Sequence, residues 1–188
     1  MYVLQVMSGE EKSVLRHLAR KNLLGYVPRE MRRERRGGKE HLREKILMPG
    51  YVFLDRGELP PEIYYAAKNI PQVICFLGGS KNPAKLTEAE EEHILLLANA
   101  GLPLQAGKVL LKEDGGVKIL EGALRGYEGK VLSVNRRDRR IIMSVDFAGE
   151  QRRISLTAEI LEERKDEHKI QTGAGVDSLL LSRKEVRI

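Results

Sequence analysis

The rhythm of apolar and polar positions changes partway along this chain. Residues 2–6, Tyr-Val-Leu-Gln-Val, form a short apolar run that reads as a strand. Ser8, with Glu11 three residues later, has the form of a capping box, and Val14, Leu15 and Leu18 recur at helical spacing. Together they predict an amphipathic helix over 9–22, ended by Gly25. Tyr26-Val27-Pro28 begins an extended segment. Residues 29–45 are a charged block with Gly37-Gly38 in the middle, which marks a hairpin tip or a mobile loop. Residues 46–54 are apolar but broken by Pro49-Gly50, so a bend or sheet edge is expected there. Pro60-Pro61 opens a helix over 61–69, 73–77 reads as a strand, and 78–85 as a loop. Thr87 and Glu90 form a second capping box, and Ile94, Leu97 and Ala98 give the following helix its apolar face before Gly101 and Pro103 stop it.

After about residue 107 the texture changes. Short apolar runs at 108–111, 117–120, 130–134, 141–147 and 153–156 alternate with Gly-containing turns, the pattern of a small all-β barrel or sandwich. Val131, Val134, Ile141, Ile142, Val145 and Ile154 are β-branched and favour strands, and only 157–168 has strong helical character. The pattern therefore gives a domain of mixed helices and strands over 1–101, a linker at 102–107, a β-barrel over 108–165, and a tail at 166–188. The tail reads as disordered or as carrying one helical turn at Leu179-Leu180-Leu181, and its polarity favours disorder.

Composition narrows the function. The 188 residues carry a net charge of +6 with 32% charged side chains, which suits a polyanionic partner. Aromatics are 5% and Trp is absent, so the core rests on Leu, Ile and Val. No apolar run approaches the ~20 residues of a membrane span, and no secretory signal is visible at the start. The lone Cys75, between Ile74 and Phe76, is expected to be a buried, inert thiol. The expectation is a cytoplasmic monomer that contacts no membrane. There is no phosphate loop, zinc spacing or nucleophile–histidine arrangement, and His17, His41, His93 and His168 are scattered as surface or capping residues. A non-enzyme without cofactor or metal is expected.

Three stretches together resemble the NusG family. Tyr2-Val3-Leu4-Gln5-Val6 with Ser8-Gly9-Glu10-Glu11-Lys12 resembles the opening strand and helix of its N-terminal (NGN) domain. Met48-Pro49-Gly50-Tyr51-Val52-Phe53 resembles the family's Phe-Pro-Gly-Tyr-Val segment, with Met48 where an aromatic is usual, and Val73-Ile74-Cys75-Phe76-Leu77-Gly78-Gly79 resembles the following strand and glycine turn. Val117-Lys118-Ile119 through Gly122, Gly126, Tyr127, Glu128, Gly129, Lys130 and Val131 resembles the KOW motif. The similarity spans roughly residues 1–163. It implies an α+β fold whose NGN domain, an N-terminal antiparallel sheet with flanking helices, docks on the clamp helices of RNA polymerase, bridges the main channel and reduces pausing. It further implies an SH3-like KOW barrel that contacts a termination factor, a ribosomal protein or RNA.

Candidate site residues follow. Met48, Pro49, Tyr51 and Phe53 are the expected polymerase-docking surface; from a single strand alone Tyr51 and Phe53 read better as core, and the family resemblance reverses that for at least one of them. Tyr64 and Tyr65 match the family position facing the polymerase gate loop, and two adjacent tyrosines cannot share one helix face. Arg136, Arg137, Arg139 and Arg140 put four arginines in five residues, and Arg125, Tyr127, Arg152 and Arg153 extend the set. If these loops meet at one end of the barrel they form a surface for RNA, such as a leader hairpin, since arginine forks suit phosphate and guanine and Tyr127 suits stacking. The alternative is a solvated hairpin turn. Phe147 falls at the family's aromatic for protein partners, but Asp146 beside it and the extra residue Ala148 or Gly149 depart from the usual pattern. This favours a specialised antitermination paralogue of the LoaP or RfaH kind, here without their helical refolding. A general or ribosome-associated RNA-binding KOW protein is the competing reading.

Overall fold

The computed structural model describes residues 1–163. The expected tail at 166–188, and the expected helical character of 164–168, lie outside the described residues.

The N-terminal part is built on a four-stranded antiparallel sheet in the order β2 (Gly25–Tyr26), β5 (Tyr51–Leu54), β1 (Tyr2–Val6), β6 (Val73–Phe76). Alternation along β5 divides its side chains between two cores. Val52 and Leu54 join Leu4, Val6 and Phe76 beneath α1 (Glu11–Arg20) and α2 (Pro61–Lys68), whereas Phe53 and Val3 face the opposite way, toward α3 (Glu88–Ala98) and the C-terminal part. The charged block folds as a hairpin, β3 (Arg29–Arg36) with β4 (Lys39–Ile46), turning at Gly37-Gly38.

The expected Ser8–Glu11 capping box does not form; Glu10 is the N-cap and no side chain caps the helix. Glu11 is instead fully buried, and its carboxylate accepts from the Gly50 N–H at 2.7 Å and the Gly9 N–H at 2.9 Å. A helix residue thus fixes the Pro49-Gly50 bend, where Gly50 takes φ +85°. The second box is present: Thr87 Oγ1 accepts from Glu90 N–H, and Glu90 accepts from Thr87 N–H at 2.8 Å.

Residues 107–162 form a five-stranded sheet in the order β8 (Val117–Glu121), β7 (Gly107–Leu111), β11 (Glu150–Glu162), β10 (Arg140–Phe147), β9 (Val131–Asn135). β11 is long enough to serve both halves: it pairs antiparallel with β10 up to Thr157 and parallel with β7 from Ala158. Residues 157–162, expected to be helical, are therefore strand, because this second pairing overrides local propensity. Ala148 and Gly149, both at positive φ, make the two-residue turn between β10 and β11, the backbone that matches the twist of a hairpin.

Candidate functional site

The barrel is seated on the face of the N-terminal sheet that carries Tyr51 and Phe53. Phe147, at the end of β10, is fully buried between them. Its ring meets Tyr51 edge-on at 5.3 Å and Phe53 edge-on at 5.5 Å. Edge-to-face pairs at such separations contribute about 0.5–1.5 kcal/mol each beyond simple burial. Met48 and Phe53 are also buried, and Tyr51 is half-buried. Of the expected docking residues, Met48, Tyr51 and Phe53 are therefore covered here and Pro49 is exposed, and the expected partner residue Phe147 packs on Tyr51 and Phe53.

Polar groups fix the register of this contact. Glu30 and Arg32, two apart on β3 and so on one face, form an ion pair whose side chains are almost wholly buried. Arg32 Nε donates to Glu30 at 2.7 Å, Arg32 Nη2 donates to the Ser155 carbonyl at 3.1 Å, and Glu30 Oε2 accepts from the Thr157 N–H at 2.8 Å. Thr157 N–H and Ser155 C=O lie on the edge of β11 away from β10, so the pair caps an otherwise bare strand edge. On the Phe147 side, Arg152 donates to Tyr51 Oη at 3.0 Å, lies 5.6 Å from the Tyr51 ring centre, and pairs with Glu150. His93 of α3 stacks on Tyr127 at 4.6 Å and 20°. Burial, reinforced by the nearby Lys130 ammonium, holds the His93 imidazole below its usual pKa. His93 is thus an interior residue and not the surface or capping residue expected.

The arginine-rich loops are not brought to one end of the barrel. Arg136, Arg137 and Arg139 lie exposed in the β9–β10 turn with Arg140 beside them at the start of β10, where Asn135 and Asp138 cross-bond and Arg136 pairs with Glu162 at 2.8 Å. Tyr127 lies at the opposite end of β10, next to Lys130, whose ammonium bonds Asp146 at 2.6 Å. Tyr127 and Arg152 are engaged with the N-terminal part, while Arg125 and Arg153 are exposed but away from the turn. The condition for a single Arg–Tyr surface is not met; the 136–140 turn stands open as a cluster, apart from the exposed Arg125 and Arg153.

Tyr64 and Tyr65 divide as adjacent helix positions must. Tyr64 stacks on Phe76 at 4.9 Å, whereas Tyr65 is 60% exposed beside the 80–83 loop. Cys75 is only half-buried, with its Sγ 3.4 Å from the Gln5 side-chain oxygen. Among the described residues no group of three or more His, Cys, Asp or Glu is placed to hold a metal, and no helix is long and apolar enough to cross a membrane. Glu30 and Arg32 were not singled out from sequence, and Glu11 and His93 were expected in other roles, as a helix cap and as a surface or capping residue. Only the i, i+2 spacing of Glu30 and Arg32 was there to be read.

A family model described as "Transcription termination factor nusG" matches residues 1–95. The chain is 30% identical over 165 residues to "Transcription termination/antitermination protein NusG" of Neisseria meningitidis, covering 82% of this chain and 92% of that one. The protein of the same description from Pseudomonas aeruginosa is also 30% identical over 165 residues, with 82% and 93% covered. A solved structure, "Domain interaction in Thermotoga maritima NusG", aligns over 83% of this chain and 92% of that chain, at 19% identity and a TM-score of 0.48.

Proposed function

Because the chain belongs to the NusG family, we propose that it is a transcription elongation and antitermination factor which binds RNA polymerase through the Tyr51/Phe53 face and suppresses pausing or termination. The carrying observation is that this aromatic face is closed over by Phe147 of the barrel, beside α3 of the N-terminal part. A large apolar surface rimmed by charge is what a docking site presents once uncovered. The clamp helices are the expected occupant, with the exposed Tyr65 toward the gate loop. The family match over residues 1–95 favours a role for the N-terminal part over a reading in which only the barrel acts.

The barrel must leave this face before polymerase takes it, so the free protein is held in a closed, non-binding form. The Arg136–Arg140 turn is the proposed RNA-contacting element, since it stays exposed in the closed form. This combination supports a targeted antitermination paralogue of the LoaP or RfaH kind, in which a leader RNA supplies part of the free energy of opening. The buried position of Phe147 supports the same view, because a termination or ribosomal protein reaches it only after opening.

The test is single-round transcription through a pause and a terminator with purified polymerase and the full-length chain. Wild type with a cognate leader, or Phe147→Ala without one, is expected to increase read-through, and Tyr51→Ala in the opened background to abolish it. If the opened variant neither binds polymerase nor alters elongation, the reading is wrong.

A further inference from the structure

The helix α3 buries His93, Ile94, Leu97 and Ala98 and turns a second stripe outward. Glu88, Glu91, Glu92 and Leu95 follow one another at the i, i+3, i+4, i+7 spacing that places side chains on one helix face. With Lys85 and Leu86 they line an open groove. Its floor is apolar: Leu86 is buried, and Leu95 stays 39% exposed. Its rim is acidic. Glu91 is matched by the Met1 amine at 2.7 Å. Glu88 and Glu92 are exposed and have no ion-pair partner among the described residues. Among the residues lining the groove, Lys85 is the one cation.

We propose that residues 179–188 of this same chain dock in this groove. Their sequence is Leu-Leu-Leu-Ser-Arg-Lys-Glu-Val-Arg-Ile, with five apolar side chains, three cations and one carboxylate. The apolar residues suit the Leu86–Leu95 floor, and an exposed apolar groove rimmed by charge marks an interaction site. Arg183, Lys184 and Arg187 suit the unpaired Glu88 and Glu92. Those carboxylates repel a polyanion, so nucleic acid is not the occupant. A polypeptide with cations beside an apolar run is selected, and the chain itself carries one. The reach is sufficient. Fifteen residues, 164–178, lead from Glu163, just past β11, to Leu179. Fully extended they span up to about 50 Å, whereas a compact body of roughly 160 residues has a radius of gyration of about 15 Å. Tethering raises the effective concentration to the millimolar range, so even a contact with an intrinsic Kd of about 1 mM is about half occupied. Because β11 belongs to the barrel and α3 to the N-terminal part, the docked segment ties the two by a second connection. It requires nothing of polymerase.

The experiment is paramagnetic broadening of amide signals in the full-length chain. Cys75→Ser/Ser182→Cys carries a single thiol, which takes a nitroxide label. The label is expected to broaden the amides of Glu88 to Leu95 severalfold more than those of α1, which packs on the other side of the N-terminal sheet. Glu88→Lys/Glu92→Lys is expected to remove that difference, and adding Arg183→Glu/Lys184→Glu/Arg187→Glu to restore it. Glu88 and Glu92 are exposed, and the spectra of the unlabelled variants verify that each folds. Broadening that is absent, uniform or unmoved by the charge reversals overturns the proposal. So does broadening that persists when labelled chain is mixed with unlabelled isotope-enriched chain, which would assign the groove to a second copy.

Discussion

Arg32→Ala is expected to release the barrel from the N-terminal sheet. In the closed form the Arg32 and Glu30 side chains retain only 4% and 3% of their surface. Removing the cation leaves a buried carboxylate that still takes the Thr157 amide at 2.8 Å but has lost its counter-charge. Breaking a buried pair from one side costs about 3–5 kcal/mol. In the open form both residues meet water, so the cost falls on the closed form alone. At 1.4 kcal/mol per decade, the opening equilibrium shifts by roughly a hundredfold or more. The Thr157 amide reports this directly, because its N–H bonds across the contact and not to β10. Its hydrogen exchange should accelerate by that factor, while amides of the β9–β10 ladder keep their protection. The Glu30→Ala/Arg32→Ala double variant should cost less than the sum of the single ones, because neither charge is orphaned. Unchanged Thr157 exchange in Arg32→Ala would refute the latch, and equal acceleration throughout the barrel would mean unfolding in place of opening.

The contact should also weaken in acid. Burial and Lys130 hold His93 below its usual pKa, with Asp146 and Glu92 opposing. Above about pH 6.5 neither form carries the proton and the contact is complete; below it the open form takes up a proton that the closed form resists, so stability is lost as pH falls. Small-angle scattering should show an expanding chain between pH 7.5 and 5.5, and a flat response in His93→Phe, which keeps the stack; an equal response in both refutes it. Gly78→Ala should lower the melting temperature much more than Gly79→Ala. Both have φ above +80° or equal to it, but a Cβ at Gly78 would stand 2.5 Å from the Asn82 carbonyl oxygen and 2.6 Å from the Ala84 nitrogen, while Gly79 faces open space. Similar melting temperatures would contradict the steric reason. Glu11→Ala leaves the Gly50 and Gly9 amides without their acceptor, at about 1–3 kcal/mol for a buried donor. Its denaturant midpoint should drop accordingly, and a midpoint equal to wild type would mean water replaces the carboxylate.

Features set by neighbours in sequence were legible beforehand. The Thr87–Glu90 box, the Gly37-Gly38 hairpin and the short strands of the barrel are local decisions between backbone and adjacent side chains. What escaped the sequence reading depends on residues far apart. Ser8 and Glu11 have the spacing of a cap, but Glu11 gains more from the Gly50 amide thirty-nine positions away. Residues 157–162 look helical until β7 offers a parallel partner. His93 looks like a surface residue until Tyr127 covers it. At the site, Tyr51, Phe53 and Phe147 were legible as an aromatic set with an unresolved choice between core and surface. The choice was unresolved because the burial of Tyr51 and Phe53 depends in part on Phe147, far along the chain.

That conditional burial gives the proposed function a quantitative form. A partner that needs the Tyr51/Phe53 face binds only the open fraction, so its apparent affinity is reduced by that fraction. If the latch and the aromatic wedge favour the closed form by about 3 kcal/mol, roughly one molecule in a hundred is open and apparent affinity falls about a hundredfold. The apolar wedge supplies non-directional attraction, while the Glu30–Arg32 pair accepts only the one register in which Ser155 and Thr157 meet it. A lone apolar contact would tolerate sliding; a lone buried ion pair would gain little over water. Together they make a contact that is specific yet separable. It follows that Arg32→Ala and Phe147→Ala should tighten polymerase binding as they loosen the closed form, up to a ceiling of about a hundredfold reached when the open form dominates. Measuring both quantities on one variant tests the coupling, since loosening without tighter binding would place the polymerase site on another face.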